Sequence, residues 1–216
     1  MAYDGTLWLR EGWIDYVAPQ LYWEFGHRLV AFETLIDWWS KHAYGRHMYI
    51  GHGIYKAYER SSPAWKNRLE LPNQIKKLRE YPTIQGSIYY SSKSFVQNPN
   101  GWNDSLRNNY YKYPALVPPM KWIDSIKPAK PIVEKKSDTS WKIAAPAEKR
   151  VKYFLLYESF NNAAPGHEME PVCEILPGTD GTTIFNKNDH KALCKNGCAV
   201  TVVSRGNIES DKEILK

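Results

Sequence analysis

A chain of 216 residues, 43% apolar and 24% charged, is long enough for two domains with cores of their own. No apolar run approaches the roughly 18 residues that cross a bilayer, Met1-Ala2-Tyr3-Asp4-Gly5 lacks the basic and apolar stretches of a secretory signal, and nine Trp, fifteen Tyr and six Phe exclude a disordered chain. The net charge of +6 is spread over both halves, 15 Lys/Arg against 11 Asp/Glu in residues 1–125 and 14 against 12 after them. The cationic runs are no longer than pairs such as Lys76-Lys77, which argues against a nucleic-acid partner.

In chain order, three runs rich in β-branched and aromatic residues read as buried strands: residues 13–23, 47–55 and 83–91. Between the first two, Phe32, Leu35, Ile36, Trp39 and Ala43 recur at helical spacing, with Gly45 where a C-terminal cap belongs. The adjacent Trp38-Trp39 pair reads as aromatic core. Between the second and third runs, Pro72 starts a helix carrying Ile75 and Leu78, and Pro82 stops it. Asn103-Asp104 caps a short helix through Leu106 and Tyr110. The order is β-α-β-α-β-α, with strand starts about 34 and 36 residues apart, the length of a βα unit in a parallel sheet. Such a sheet needs cover on both faces, and its natural closure is a barrel of eight units. No Gly-rich phosphate loop follows the first strand, so a nucleotide-binding sheet is the weaker reading.

The composition breaks near residue 125. Residues 1–125 hold 24 of the 30 aromatics, and five prolines fall within residues 114–131, a connector. Residues 126–216 form a second domain, with strand-like runs at 139–143, 151–158, 173–176 and 199–204 separated by turns such as Gly178-Thr179-Asp180-Gly181. That pattern predicts an antiparallel β-sandwich. Cys173, Cys194 and Cys198 form neither a disulfide framework nor a zinc set; Cys194 and Cys198 flank a Lys-Asn-Gly turn, so a local bridge is one reading and buried free thiols are the favoured one.

The run Gly12-Trp13-Ile14-Asp15-Tyr16-Val17-Ala18-Pro19-Gln20-Leu21-Tyr22-Trp23, with Asp37-Trp38-Trp39 and Tyr49-Ile50-Gly51-His52-Gly53-Ile54-Tyr55 after it, resembles the bacterial glycosyl-hydrolase-like family ten over residues 2 to about 125. The resemblance implies the last three units of a (β/α)8 barrel, with the first five strands absent from this chain. Ser140-Trp141-Lys142, the run 153–157 and the run 202–210 are similar to strands B, C and F–G of a fibronectin type III module. It further implies an O-glycosyl hydrolase portion acting on an oligo- or polysaccharide, at a periplasmic, cell-surface or secreted location, with most of the catalytic carboxylates in the missing strands. The expected partner is that missing portion, or a second copy of the chain. The alternative is a non-catalytic carbohydrate- or protein-interaction module, or an inactive fragment.

Glycoside hydrolysis uses two carboxyl groups, about 5–5.5 Å apart for retention and 6.5–9.5 Å for inversion, and a parallel barrel presents them at C-terminal strand ends. Asp15, at a strand start, is poorly placed. Glu24 follows a strand end beside Tyr22 and Trp23, where apolar neighbours would raise its pKa toward an acid role; a solvated loop glutamate paired with His27 or Arg28 is the other reading. Alternation puts Gln20, Tyr22 and Glu24 on one face and Leu21 on the other. The Gln20 amide suits sugar hydroxyls, while Tyr22 and Trp23 offer flat faces to a pyranose or fill a core. His52, between two glycines, hydrogen-bonds a substrate or is a core histidine. Tyr55, Ser91 and Lys93 end the remaining strands and are further candidates for the same substrate-binding rim, as is His27 beyond Glu24. His27, His42, His47 and His52 lack ligand spacing, so neither a metal nor any other cofactor is expected.

Overall fold

The computed structural model describes residues 5–58, 62–112, 115–146, 151–158, 171–175, 181–190, 194 and 197–215. It divides into two compact units, Met1–Lys112 and Tyr113–Lys216.

In the first unit, helix α1 (Gly5–Arg10) precedes three parallel strands: β1 (Tyr16–Val17), β2 (His47–His52) and β3 (Ile84–Tyr89), in the order β1-β2-β3. Tyr16 pairs with His47, and His52 with Tyr89. The first strand is much shorter than the expected run because Pro19 has no N–H to give the ladder. Pairing resumes beyond it: the Pro19 carbonyl accepts from Gly51 N–H at 2.9 Å, and Leu21 N–H donates to the Gly51 carbonyl at 3.0 Å. Helices α2 (Phe32–Ser40) and α3 (Glu70–Leu78) fill the two crossovers. After β3 come α4 (Ser92–Val96), α5 (Trp102–Ser105) and a wide turn over Leu106–Tyr110. Helix α2 stops five residues before Gly45. The chain then turns through Tyr44 and Gly45, both at positive φ, and glycine tolerates that conformation without strain.

One face of the sheet carries the helices. Phe32 and Ile36 of α2 pack on Met48 and Ile50 of β2, all four sealed from water, and each such burial stabilises by about 1.5–3 kcal/mol. A second cluster joins Ile54, Trp65, Leu71, Ile75, Trp102 and Leu106. Contrary to the core reading, Trp38 is 45% exposed, its ring stacked on His42 at the surface. Among the described residues, no helix lies on the opposite face of the sheet. Tyr16 and Tyr49 meet edge to face there, Tyr49 lies over Gly86 where a Cβ would come within 3.4 Å, and Ile88 is exposed.

The second unit is built from antiparallel sheets. One has the order β10-β9-β6-β7 and the other β4-β5-β8, with β4 (Ile132–Ser137), β5 (Ser140–Ala144), β6 (Val151–Glu158), β7 (Pro171–Ile175), β8 (Thr182–Asn186), β9 (Cys198–Ser204) and β10 (Glu213–Leu215). Trp141 and Ile143 of β5, Phe185 of β8, Phe154 and Leu156 of β6, and Val200 and Val202 of β9 form one core between the sheets. Strands β4, β8 and β10 were not among the expected runs. β4 is polar and mostly exposed, as an edge strand is, so it lacks the apolar signature. Residues 176–180, holding most of the expected Gly-Thr-Asp turn, lie outside the described residues. Cys194 and Cys198 are bonded to each other, not free thiols: the intervening turn brings their Cα atoms to 5.4 Å, an ordinary disulfide span. The segment before β4 packs on this unit, Met120 N–H donating to the Gly206 carbonyl at 3.1 Å. Among the described residues, no helix is long and apolar enough to cross a membrane.

Candidate functional site at the strand ends

The parallel register decides which side chains share the far end of the sheet. Gln20 bridges to Gly51, so Gln20, Gly51 and Ile88 occupy one level of the helix-free face. The next level up holds Tyr22, Gly53 and Tyr90. Gly53 is required: a Cβ there would lie 2.9 Å from Cγ of Tyr22, whose ring lies against it. Tyr90 is fixed by its N–H, which donates to the His52 carbonyl at 2.9 Å. Tyr55 joins from the turn after β2. The ring centroids are 5.9 Å apart for Tyr22–Tyr55, 6.1 Å for Tyr22–Tyr90 and 5.9 Å for Tyr55–Tyr90, with the Tyr22 and Tyr90 planes only 26° apart. One tyrosine thus comes from the C-terminal end of each strand. Burial, and then the two neighbouring phenols, raise the Tyr22 pKa, so its hydroxyl stays protonated and available as a donor.

Glu24 stands in the loop between β1 and α2, which closes where Phe32 N–H donates to the Glu24 carbonyl at 3.2 Å. Ser62 Oγ donates to its Oε1 at 2.9 Å and Trp65 Nε1 to its Oε2 at 3.0 Å. Partial desolvation works to raise its pKa, but hydrogen bonds from its own backbone, Ser62 and Trp65, together with the charge of His27, outweigh it and hold Glu24 below the ordinary carboxylate range. The upward shift expected from its apolar neighbours is therefore reversed: the aromatic beside it, Trp65, contributes an N–H donor as well as an apolar surface. The Trp23 ring is 6.5 Å from that of His27. His27 is engaged locally, its Nδ1 accepting from Val30 N–H at 3.3 Å and Leu29 N–H at 3.4 Å. Ser91 follows Tyr90 at the start of α4, its carbonyl accepting from Phe95 N–H at 3.0 Å. Lys93 is exposed on α4, and Asp15 lies before β1, its carbonyl accepting from His47 N–H at the opposite end of the sheet.

His52 is fully enclosed. Its Nδ1 lies 2.8 Å from Gln74 Oε1 and its Nε2 lies 3.1 Å from Ser87 Oγ, while Tyr89 stacks on its ring at 5.4 Å. Burial drives its pKa down to about 4, only partly opposed by Gln74, so the imidazole is neutral near pH 7. Glu70 is also buried. Desolvation raises its pKa despite hydrogen bonds from Phe25 N–H and Gln74, and the charges of Glu24 and Glu33 add to the rise.

Sequence reasoning missed Tyr90, Trp65, Glu70, Gln74 and Ser87. A signal existed for two groups of them. Glu70 and Gln74 are spaced i,i+4 on a helix whose buried face also carries Leu71, Ile75 and Leu78, and polar residues in such a row seek partners. The strand alternation that places Ile88 beside Gly51 also selects Tyr90. Trp65 is brought in by a turn of 3₁₀ helix, Pro63–Lys66, that has no periodic signature. Among the described residues, no three His, Cys, Asp or Glu side chains are grouped to hold a metal ion.

The chain resembles two proteins named glycosyl hydrolase. Over 134 residues, 61% of this chain and 26% of the relative, it is 41% identical to glycosyl hydrolase YngK of Bacillus subtilis (strain 168). Over 95 residues, 40% of this chain and 21% of the relative, it is 34% identical to glycosyl hydrolase DigH of Escherichia coli (strain K12). The chain thus spans about a quarter or less of the length of these curated relatives. No family model matches it.

Proposed function

We propose that the first unit supplies the sugar-contacting strand ends of a glycosidase-type (β/α)8 barrel, and that the second is a fibronectin type III-like module. The observation that carries this reading is the convergence of Tyr22, Tyr55 and Tyr90 at the C-terminal ends of three parallel strands, the end at which such barrels hold their substrates. The similarity to two glycosyl hydrolases supports it. The ligand is an oligo- or polysaccharide, with Gln20 and the tyrosine hydroxyls meeting sugar hydroxyls and the rings meeting C–H faces. Glu24, held ionised, serves as an anionic partner in the two-carboxylate chemistry, with the acid supplied by other strands of the barrel. The four-plus-three antiparallel arrangement supports the module assignment, and the Cys194–Cys198 bridge supports an oxidising, extracytoplasmic location.

The test is binding of the full chain to a panel of oligosaccharides. Removing the Tyr22 and Tyr90 rings together (Tyr22→Ala, Tyr90→Ala) is expected to weaken binding about tenfold, since stacking at this level is worth on the order of 1 kcal/mol or more. Undiminished binding by the double variant, or no binding by the parent chain, rejects the reading. The helix-free face with Tyr16, Tyr49 and Ile88 is covered, in this proposal, by the remaining barrel strands. Without them the chain is expected to self-associate, and sedimentation as a monomer at micromolar concentration contradicts that.

A further inference from the structure

Gln74 sits in the second turn of α3 with no exposed surface. Its amide nitrogen donates to the Trp23 carbonyl at 3.2 Å and to Glu70 Oε1 at 3.0 Å, and its Oε1 faces His52 Nδ1 at 2.8 Å. Both amide hydrogens and the oxygen are therefore committed, which fixes the amide's orientation: turned over, its oxygen would face a carbonyl and a carboxylate. Because Oε1 only accepts, His52 carries its proton on Nδ1. Its bare Nε2 then accepts from Ser87 Oγ–H at 3.1 Å. Glu70 Oε1 takes a second hydrogen bond, from Phe25 N–H at 3.0 Å. The residues on either side of Glu24 are thus both held from one turn of α3: Trp23 by Gln74 directly, and Phe25 through Glu70.

We propose that Gln74 is the positioning residue of the strand-end site, setting the Trp23–Phe25 loop on one side and the His52 tautomer on the other. This rests on the reading that the strand ends form the site, in that the loop matters because Glu24 and Trp23 stand in it. No other side chain of this size presents two donors and one acceptor. Glutamate would set a carboxylate against Glu70 and the Trp23 carbonyl, and methionine would fill the space with no polar partner for any of the three groups. His52 serves the site by fixing strand β2 to Gln74, and Ser87 only saturates its far nitrogen.

The experiment compares the full chain with Gln74→Met, Ile75→Val and Ser87→Ala. Ile75→Val is a control for destabilisation alone, since it trims a buried residue of the same helix without touching the loop. The readouts are the ¹⁵N signals of the His52 ring, which report the tautomer, and the backbone amide signals of Glu24 and Phe25. Gln74→Met is expected to abolish the pure Nδ1–H signature and to shift both loop amides, whereas Ile75→Val leaves all three unchanged. Loop amides and tautomer that stay in place in Gln74→Met overturn the proposal. Should that variant fail to fold, Ser87→Ala decides: Gln74 remains, so the Nδ1–H tautomer and the loop amides are expected to persist, and a switch to Nε2–H overturns the assignment. Oligosaccharide binding separates the two readings. The Tyr22→Ala, Tyr90→Ala double variant with unchanged binding defeats the site itself, while these NMR signals judge Gln74 whatever the ligand result.

Discussion

Replacing Trp65 by alanine is expected to cost the first unit about 3–5 kcal/mol, the range for removing a buried aromatic. Trp65 is 2% exposed and packs with Ile54, Leu71, Ile75, Trp102 and Leu106, its ring 6.3 Å from that of Trp102. The loss has two physical parts. One is the cavity left among these side chains. The other is the missing Nε1–H donor, which leaves Oε2 of Glu24 without its partner at 3.0 Å. Trp65→Phe separates them: it keeps most of the packing and removes the donor, at a cost of about 1.5–3 kcal/mol for a hydrogen bond to a charged group. In both variants the Glu24 pKa is expected to rise, because one of the groups holding it down is gone. Urea unfolding gives the energies and side-chain NMR titration gives the pKa. A phenylalanine variant with parental stability and an unmoved Glu24 titration contradicts the account.

Acidification is expected to destabilise the first unit by about 3 kcal/mol through His52 alone. The unfolded imidazole titrates near 6.5 and the folded one near 4, because burial opposes the charge. Above pH 6.5 the ring is neutral in both states and its titration leaves stability unchanged. Between 6.5 and 4 the unfolded chain takes up a proton that the folded chain refuses, so stability falls with pH; below 4 both states are protonated and the loss is complete. The groups around the ring, Phe32, Tyr89, Gln74 and Ser87, carry no charge to soften it. Glu70, one hydrogen bond beyond Gln74, acts in the opposite sense, since its raised pKa makes the folded state bind protons more readily as the pH falls. His52→Asn isolates the histidine: the asparagine amide still reaches toward Gln74 but does not titrate, and Glu70 is common to both proteins. The parent chain is expected to lose about 3 kcal/mol more than the variant between pH 7 and 4, read from urea unfolding at each pH. Parallel losses in the two proteins refute the assignment.

Much of this protein was legible before any fold was seen. The spacing of the three apolar runs was enough for parallel strands with helices between them, because a crossover between parallel neighbours needs that much chain and the helical period of Phe32, Leu35 and Ile36 fills it. Strand-end logic placed Tyr22, Glu24 and Tyr55 near one end of the sheet. Local pattern alone could not yield what depends on register and distant contacts. Pro19 shortens β1, yet pairing resumes at Gln20, and that resumption sets Tyr22 against Gly53 beside Tyr90. Edge strand β4 escaped because an exposed strand needs no alternating apolar face, and β10 because its three residues are too few to show one. The charge states of Glu24, His52 and Glu70 are the clearest division. Residue type and neighbours in sequence say that a carboxylate or imidazole is present, but ionisation follows from desolvation and from hydrogen-bond partners 22, 38, 41 or 45 residues away. Those distances close only when the chain has folded.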